Sequence, residues 1–124
     1  MPFTTTQTVY IVDALSYDIS KPLIVRCQSK DDDLGNKTLN ASEEFNFSFK
    51  ENPFGGTLFF CHFWWNGKDT KFDVYNDKIA TFCGLVDPSS ELNYECFWKV
   101  QEDGFYFAPH RNPPPVYEKK HDWP

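Results

Sequence analysis

The side chains whose ordinary pKa suits proton transfer near neutral pH are three histidines, His62, His110 and His121. His62 falls in an aromatic-rich stretch and the other two lie near the C-terminal end. No Gly-x-Ser-x-Gly elbow, His-Glu-x-x-His pair or phosphate-cradling glycine loop accompanies them, so they read as structural or surface histidines and no catalytic residue is assigned. Cys27, Cys61, Cys83 and Cys96 contain no Cys-x-x-Cys pair and have no histidine at ligand spacing, which argues against zinc. An even cysteine count, with Asn-x-Ser/Thr sequons at Asn36, Asn40 and Asn46, points instead to the secretory pathway and two disulfides. The sequence by itself leaves three pairings open. The triplet Asp31-Asp32-Asp33 offers the hard oxygen ligands that Ca²⁺ takes, but adjacent residues point in different directions and the alternating spacing of an EF-hand loop is absent. It reads as turn capping, since Asp bonds the backbone amide two residues on. No metal and no cofactor is expected.

Trp64, Trp65, Trp98 and Trp123 raise the chemistry of sugar stacking. Trp64 and Trp65 are adjacent in one extended run, so only one of them can face a core, and in a domain this small packing is the commoner use of a covered Trp. Pro114-Pro115-Val116-Tyr117 fits the extended pattern that WW domains bind, but a secreted chain would not meet those cytosolic domains, and the match is taken as chance.

The elements that must hold these residues are read from composition and period. The chain has 124 residues, a net charge of −6 and 19% aromatic residues. Aromatic and β-branched side chains outnumber good helix formers, so mostly β structure is expected. The size fits one domain, 1–124, with a core over about 8–123 and a disordered start at 1–7. The acidic balance would repel a phosphate backbone, which excludes nucleic acid as a partner. Apolar runs of only a few residues fall far short of the roughly 20 that a membrane-crossing helix needs, and membrane insertion is not expected. No basic-apolar-small leader is visible, and on the secretion reading it has been removed.

Along the chain, Thr8–Val12 reads as a first strand, and Leu23–Gln28 as a second with Leu23, Val25 and Cys27 on the inner face. Residues 30–36 have turn composition and are excluded from strand interior. Glu44–Lys50 alternates most cleanly, placing Phe45, Phe47 and Phe49 inward and the sequon Asn46 outward. Thr57–Trp65 reads as a central strand, and Asn66-Gly67 between it and Thr70–Tyr75 is a strong hairpin signal. Gly84–Asn93 reads as a polar loop, Tyr94–Val100 and Phe105–Phe107 as strands, and Val116–Trp123 as an edge strand behind the Pro-rich segment 111–115. Short strands with turns at this spacing read as an all-β, disulfide-stabilised antiparallel β-sandwich or compact barrel.

Several of these segments together resemble one family. They are Cys27-Gln28-Ser29-Lys30-Asp31-Asp32-Asp33-Leu34-Gly35, Phe47-Ser48-Phe49, Thr57–Cys61, Phe72–Tyr75, Cys96–Val100 and Asp103–Tyr106. In order and spacing they are similar to the plant self-incompatibility proteins, the S-protein homologues, over about Val9–Trp123. The resemblance implies a small secreted β-sandwich with a buried Leu34 and a positive-φ Gly35, and disulfides pairing Cys27 with Cys96 and Cys61 with Cys83. The chain departs from the family pattern at Asp13, where Asn is usual, and at Phe47, where Trp is usual. The family's best-known members are pistil-secreted ligands that act on a pollen membrane protein.

The function expected is therefore that of a monomeric, secreted, non-catalytic signalling ligand, in which a rigid sandwich presents polar loops to a membrane receptor protein on a target cell. Asp87, Pro88, Ser89, Ser90 and Glu91 are the first candidates for partner binding, because the loop lacks a burying aromatic and is tethered by Cys83 and Cys96. Asn66 and Asp69 at the hairpin tip come second. The rival readings are a cell-wall carbohydrate-binding module and, more remotely, a small secreted hydrolase.

Overall fold

The computed structural model describes residues 5–87, 90–110 and 116–124, with the backbone alone for Asp87, Ser90 and Glu91. These residues form β1 (Thr6–Asp13), β2 (Leu23–Gln28), β3 (Asp33–Leu39), β4 (Glu44–Lys50), β5 (Phe59–Trp65), β6 (Lys68–Tyr75), the short helix α1 (Asp77–Ala80), β7 (Gly84–Asp87), β8 (Ser90–Gln101), β9 (Gly104–Ala108) and β10 (Glu118–His121). One sheet runs β10-β9-β8-β1-β4, with β7 beside the first half of β8, and the other runs β3-β2-β5-β6. Their inner faces pack together as a sandwich. Pairing is antiparallel throughout the described strands except between β1 and β8, which run parallel in the middle of the larger sheet.

The two-residue period of a strand decides what is buried. Leu23, Val25 and Cys27 of β2 have no exposed surface while Ile24, Arg26 and Gln28 are half-exposed. In β4, Phe45, Phe47 and Phe49 lie against the core and Asn46 and Ser48 face solvent. Rings join the sheets at the 4.5–7 Å spacing that aromatic pairs favour. Phe63 of β5 meets Phe105 of β9 at 4.9 Å, and Phe72 of β6 meets Phe105 at 4.9 Å and Trp98 of β8 at 5.2 Å. Trp98 also donates from Nε1 to the Val74 carbonyl of the opposite sheet, 2.9 Å away. The β5–β6 connection is the expected two-residue turn, with Asn66 and Gly67 both at positive φ, 51° and 75°. That is the primed geometry matching the twist of paired strands.

Four expectations are corrected. The disulfides join Cys27 to Cys61 and Cys83 to Cys96, not Cys27 to Cys96 and Cys61 to Cys83. Cys27 and Cys61 are directly opposite on adjacent strands β2 and β5, with Cα atoms 4.0 Å apart, whereas Cys96 belongs to the other sheet. Cys83 precedes Gly84, which pairs with Glu95, and this brings Cys83 beside Cys96. Next, residues 33–36 are strand: β3 begins at Asp33, and the register shift between Arg26 and Gln28 sets Leu34 and Gly35 opposite Cys27 as a bulge. Gly35 has the expected positive φ of 76°, and Leu34 packs on the core, so the turn-like composition belongs to an irregular edge strand. Gly84–Asn93 is also not a continuous loop, because β7 and the start of β8 pair as a hairpin with Asp87 opposite Ser90. Last, β1 starts at Thr6 with Gln7 buried, so residues 6 and 7 belong to the sheet and not to a disordered start, while residues 1–4 lie outside the described residues. Helix α1 was not anticipated; its signal is Asn76, whose Oδ1 accepts from the Ile79 N–H at 2.8 Å as an N-cap.

At the end of β1, Asp13 is 2% exposed, and its Oδ1 accepts from the Leu15 N–H at 2.8 Å. Burial raises its pKa above the usual 3.8, against the lowering effect of that hydrogen bond and with help from the nearby charges of Glu102 and Glu43. A carboxyl whose pKa is raised by folding stabilises the fold fully below its unfolded pKa, and that contribution is lost as pH rises through the folded value. Asp13→Asn keeps an acceptor for Leu15 without the charge. It is expected to raise the melting temperature by a few degrees at pH 7, with the gain shrinking as pH falls towards 3.8. Thermal unfolding of both proteins across that range checks this, and an unchanged or lower melting temperature at pH 7 contradicts it.

Candidate functional site

The β5–β6 turn and the segment 20–22 leading into β2 enclose an open groove of about 560 Å³. Strand alternation splits its two tryptophans. Trp65 turns inward, packs on the core and lies 5.7 Å from the Trp123 ring, whereas Trp64 turns outward and stacks on His62 with centroids 3.8 Å apart and planes 10° off parallel. Ile24, paired with Trp64 across the strands, and Pro22 supply further apolar surface, and Ser20, Lys21, Asn66, Lys68 and Asp69 are polar groups along the lining. His62 donates from Nε2 to Asp69 Oδ2 at 2.7 Å, and the Asp69 side chain remains 58% exposed. Lys68 Nζ sits 5.8 Å from the centre of the Trp65 ring. The Ser20 hydroxyl donates to Asp18 Oδ1 at 2.6 Å, so this groove-lining hydroxyl is engaged away from His62 and the two do not form a nucleophile–base pair.

The same sheet face carries an ion pair. Arg26 donates to both carboxylate oxygens of Asp33, and this, with the Gly35 N–H bonding Asp33 Oδ1, holds the Asp33 carboxyl down at about 2. The Gly35 bond is the capping expected of the acidic triplet two residues on. Asp33 thus favours folding above pH 3.8, and loses that contribution as pH falls towards about 2.

The candidate residues do not converge. Asn66 and Asp69 line the groove, whereas Asp87, Ser90 and Glu91 lie in the β7–β8 hairpin and Pro88 and Ser89 fall outside the described residues. His62 is on β5, His110 follows β9, and His121 on β10 stacks on Phe72 at 3.9 Å, where burial lowers its pKa. No group of His, Cys, Asp or Glu able to hold a metal is found among the described residues. Asn36 on β3 and Asn46 on β4 face solvent, and Asn40 in the turn between them is half-buried. Both strands are edges of their sheets. The sequence reading missed Ser20, Lys21, Pro22 and Ile24 as part of a site. Nothing local marks them, since the β2–β5 register alone brings them to Trp64.

Two further hollows lie elsewhere on the described surface. A hollow of about 580 Å³ lies between Ser29–Asp32 and the loop around Gly55, and one of about 220 Å³ lies between Phe82 and Trp98. No described helix is long and apolar enough to cross a membrane.

Comparison with known proteins bears on the whole of this architecture. The family model for the plant self-incompatibility protein S1 matches residues 8–123. S-protein homolog 2 of Arabidopsis thaliana is 39% identical over 82% of this chain and 59% of its own length, and S-protein homolog 3 of the same plant is 39% identical over 82% and 63%. Self-incompatibility protein S1 of Papaver rhoeas is 35% identical over 66% of this chain and 55% of its own length. The chain therefore spans somewhat more than half the length of these curated relatives. A solved structure of SPH (self-incompatibility protein homologue) proteins, described as a widespread family of small, highly stable, secreted proteins from plants, matches with a TM-score of 0.63 at 20% identity, over 97% of this chain and 96% of that one. With the family model matching nearly its full length, the chain belongs to the plant self-incompatibility protein S1 family.

Proposed function

We propose that the chain is a secreted, non-catalytic ligand that binds a membrane receptor protein on a target cell, with the groove beside the β5–β6 tip as its main recognition surface. The observation that carries this reading is the combination of rigidity and exposure at that tip. The primed turn and the inward Trp65 hold Asn66–Asp69 in place, while their side chains lie in solvent. A pre-ordered loop loses little entropy when a partner covers it. Just before the segment that walls the groove, Tyr17 is 74% and Ile19 73% exposed, large apolar groups of the kind a protein partner buries. The β7–β8 tip, Asp87 to Glu91, is the second contact. N-glycans at Asn36, Asn40 and Asn46 would stand along the β3–β4 edge.

Saturation binding of the labelled protein to target-cell membranes tests the assignment. Asn66→Gly with Asp69→Ala keeps the turn and removes two polar side chains. The pair is expected to weaken binding by about tenfold or more, with little change in melting temperature. A Gly/Ser linker in place of Asp87 to Glu91 is expected to weaken it less. If the linker alone abolishes binding, recognition lies at the β7–β8 tip; if neither change has an effect, the reading is wrong.

A further inference from the structure

Resting on that reading of the groove, we propose that its occupant is a neutral pyranose sugar, stacked on the Trp64 indole and hydrogen-bonded by Asp69, Asn66 and Lys21. Ring geometry comes first. His62 lies parallel to Trp64 at 3.8 Å and covers one face of the indole. Trp64 lines the groove and His62 does not, so the part of the indole that His62 leaves uncovered is what the groove offers a ligand. The stack also holds the indole in one orientation, so ordering it on binding loses little entropy. A pyranose presents a flat patch of C–H groups suited to such a face, with hydroxyls projecting from its rim.

The polar groups complement hydroxyls. Each hydroxyl donates one hydrogen bond and accepts others, and the groove offers an acceptor in Asp69, donors in Lys21 and both in Asn66. Asp69 is aimed by His62, whose Nε2 donates to Oδ2 at 2.7 Å, and with the side chain 58% exposed it remains open to further donors. A charged acceptor of this kind makes stronger hydrogen bonds than a neutral one.

Other occupants fit less well. An acyl chain needs an enclosed apolar cavity, and this groove is open. An anionic ligand would meet the Lys21 and Lys68 ammonium groups but also the exposed Asp69 carboxylate, which a neutral ligand does not oppose. An apolar peptide side chain would bury Asp69 and Lys21 without partners. A sugar keeps its outer hydroxyls in water and satisfies those at the rim.

The test is an NMR titration of the ¹⁵N-labelled protein with methyl pyranosides of the gluco, galacto, manno and xylo series and with their oligomers. At least one sugar is expected to shift the Asn66, Gly67 and Asp69 amides saturably, with affinity falling about tenfold in Trp64→Ala. No saturable shift with any sugar, or unchanged affinity in Trp64→Ala, overturns the proposal. Should Trp64→Ala fail to fold, Asp69→Ala at the exposed rim decides it: weakened binding supports the proposal and unchanged affinity overturns it. Isolated wall polysaccharide and glycosidase-treated membranes separate the two sources of the sugar. Membrane binding lost on treatment places it on the receptor, and retained binding together with affinity for wall polysaccharide places it in the wall. Membrane binding that depends on the tip while no sugar binds overturns the sugar and leaves the protein receptor standing. Sugar binding without membrane binding does the reverse.

Discussion

Replacing Cys27 and Cys61 together by alanine is expected to lower the free energy of unfolding by about 4 kcal/mol, and replacing Cys83 and Cys96 by about 3 kcal/mol, on the loop-entropy account of cross-links. The difference follows from loop size, since the first bond spans 34 residues of sequence and the second 13. For a domain whose whole stability is of the order of 5–15 kcal/mol, either loss is large. Guanidinium unfolding of the two double variants measures it. The pairing is checked separately by non-reducing peptide mapping, where fragments joining Cys27 to Cys96 would contradict the fold. Both bonds tie neighbouring chain segments on the same side of the sandwich, Cys27–Cys61 within the smaller sheet and Cys83–Cys96 along β8. Neither fastens one sheet to the other.

That task falls to the aromatic core, and Trp98 is its centre. The side chain is 2% exposed, meets Phe72, Phe107 and His121, and donates to the Val74 carbonyl across the sandwich. Trp98→Ala removes the packing and leaves a cavity, an expected loss of about 3–5 kcal/mol. Trp98→Phe keeps most of the ring volume but takes away the partner of the Val74 carbonyl, at an expected loss of about 1–3 kcal/mol. Denaturant midpoints at unchanged slope check the order of the two effects. A Trp98→Phe protein as stable as the parent would show that the inter-sheet hydrogen bond contributes nothing.

What the sequence showed and hid divides along the range of the interactions. Glu44–Lys50 was legible because a period of two with three phenylalanines admits one orientation, and Asn66-Gly67 because only residues tolerant of positive φ fit a primed turn. The cysteine partners were not legible, since they depend on which strands are neighbours, and β2 reaches β5 past two intervening strands. The parallel β1–β8 pair joins residues 87 apart in the chain for the same reason. Asp33–Asn36 and Gly84–Asp87 were misread because edge strands need only one covered side and carry polar, bulged or glycine-containing runs that elsewhere mark turns. In the groove, Asn66 and Asp69 could be named from the hairpin, but the wall at Ser20–Ile24 comes from a distant segment that only the register brings near.

The proposed recognition surface is the groove beside the β5–β6 tip. Lysine footprinting on the unaltered protein tests it most directly, because Lys21 and Lys68 line the groove while Lys37, Lys50 and Lys119 are exposed on other elements. Acylation of the free protein is compared with acylation at saturating target-cell membranes, each lysine being read by mass spectrometry. Lys21 and Lys68 are expected to be protected, while Lys37, Lys50 and Lys119 react as in the free protein. Protection confined to Lys37, Lys50 or Lys119, with Lys21 and Lys68 unchanged, would contradict it.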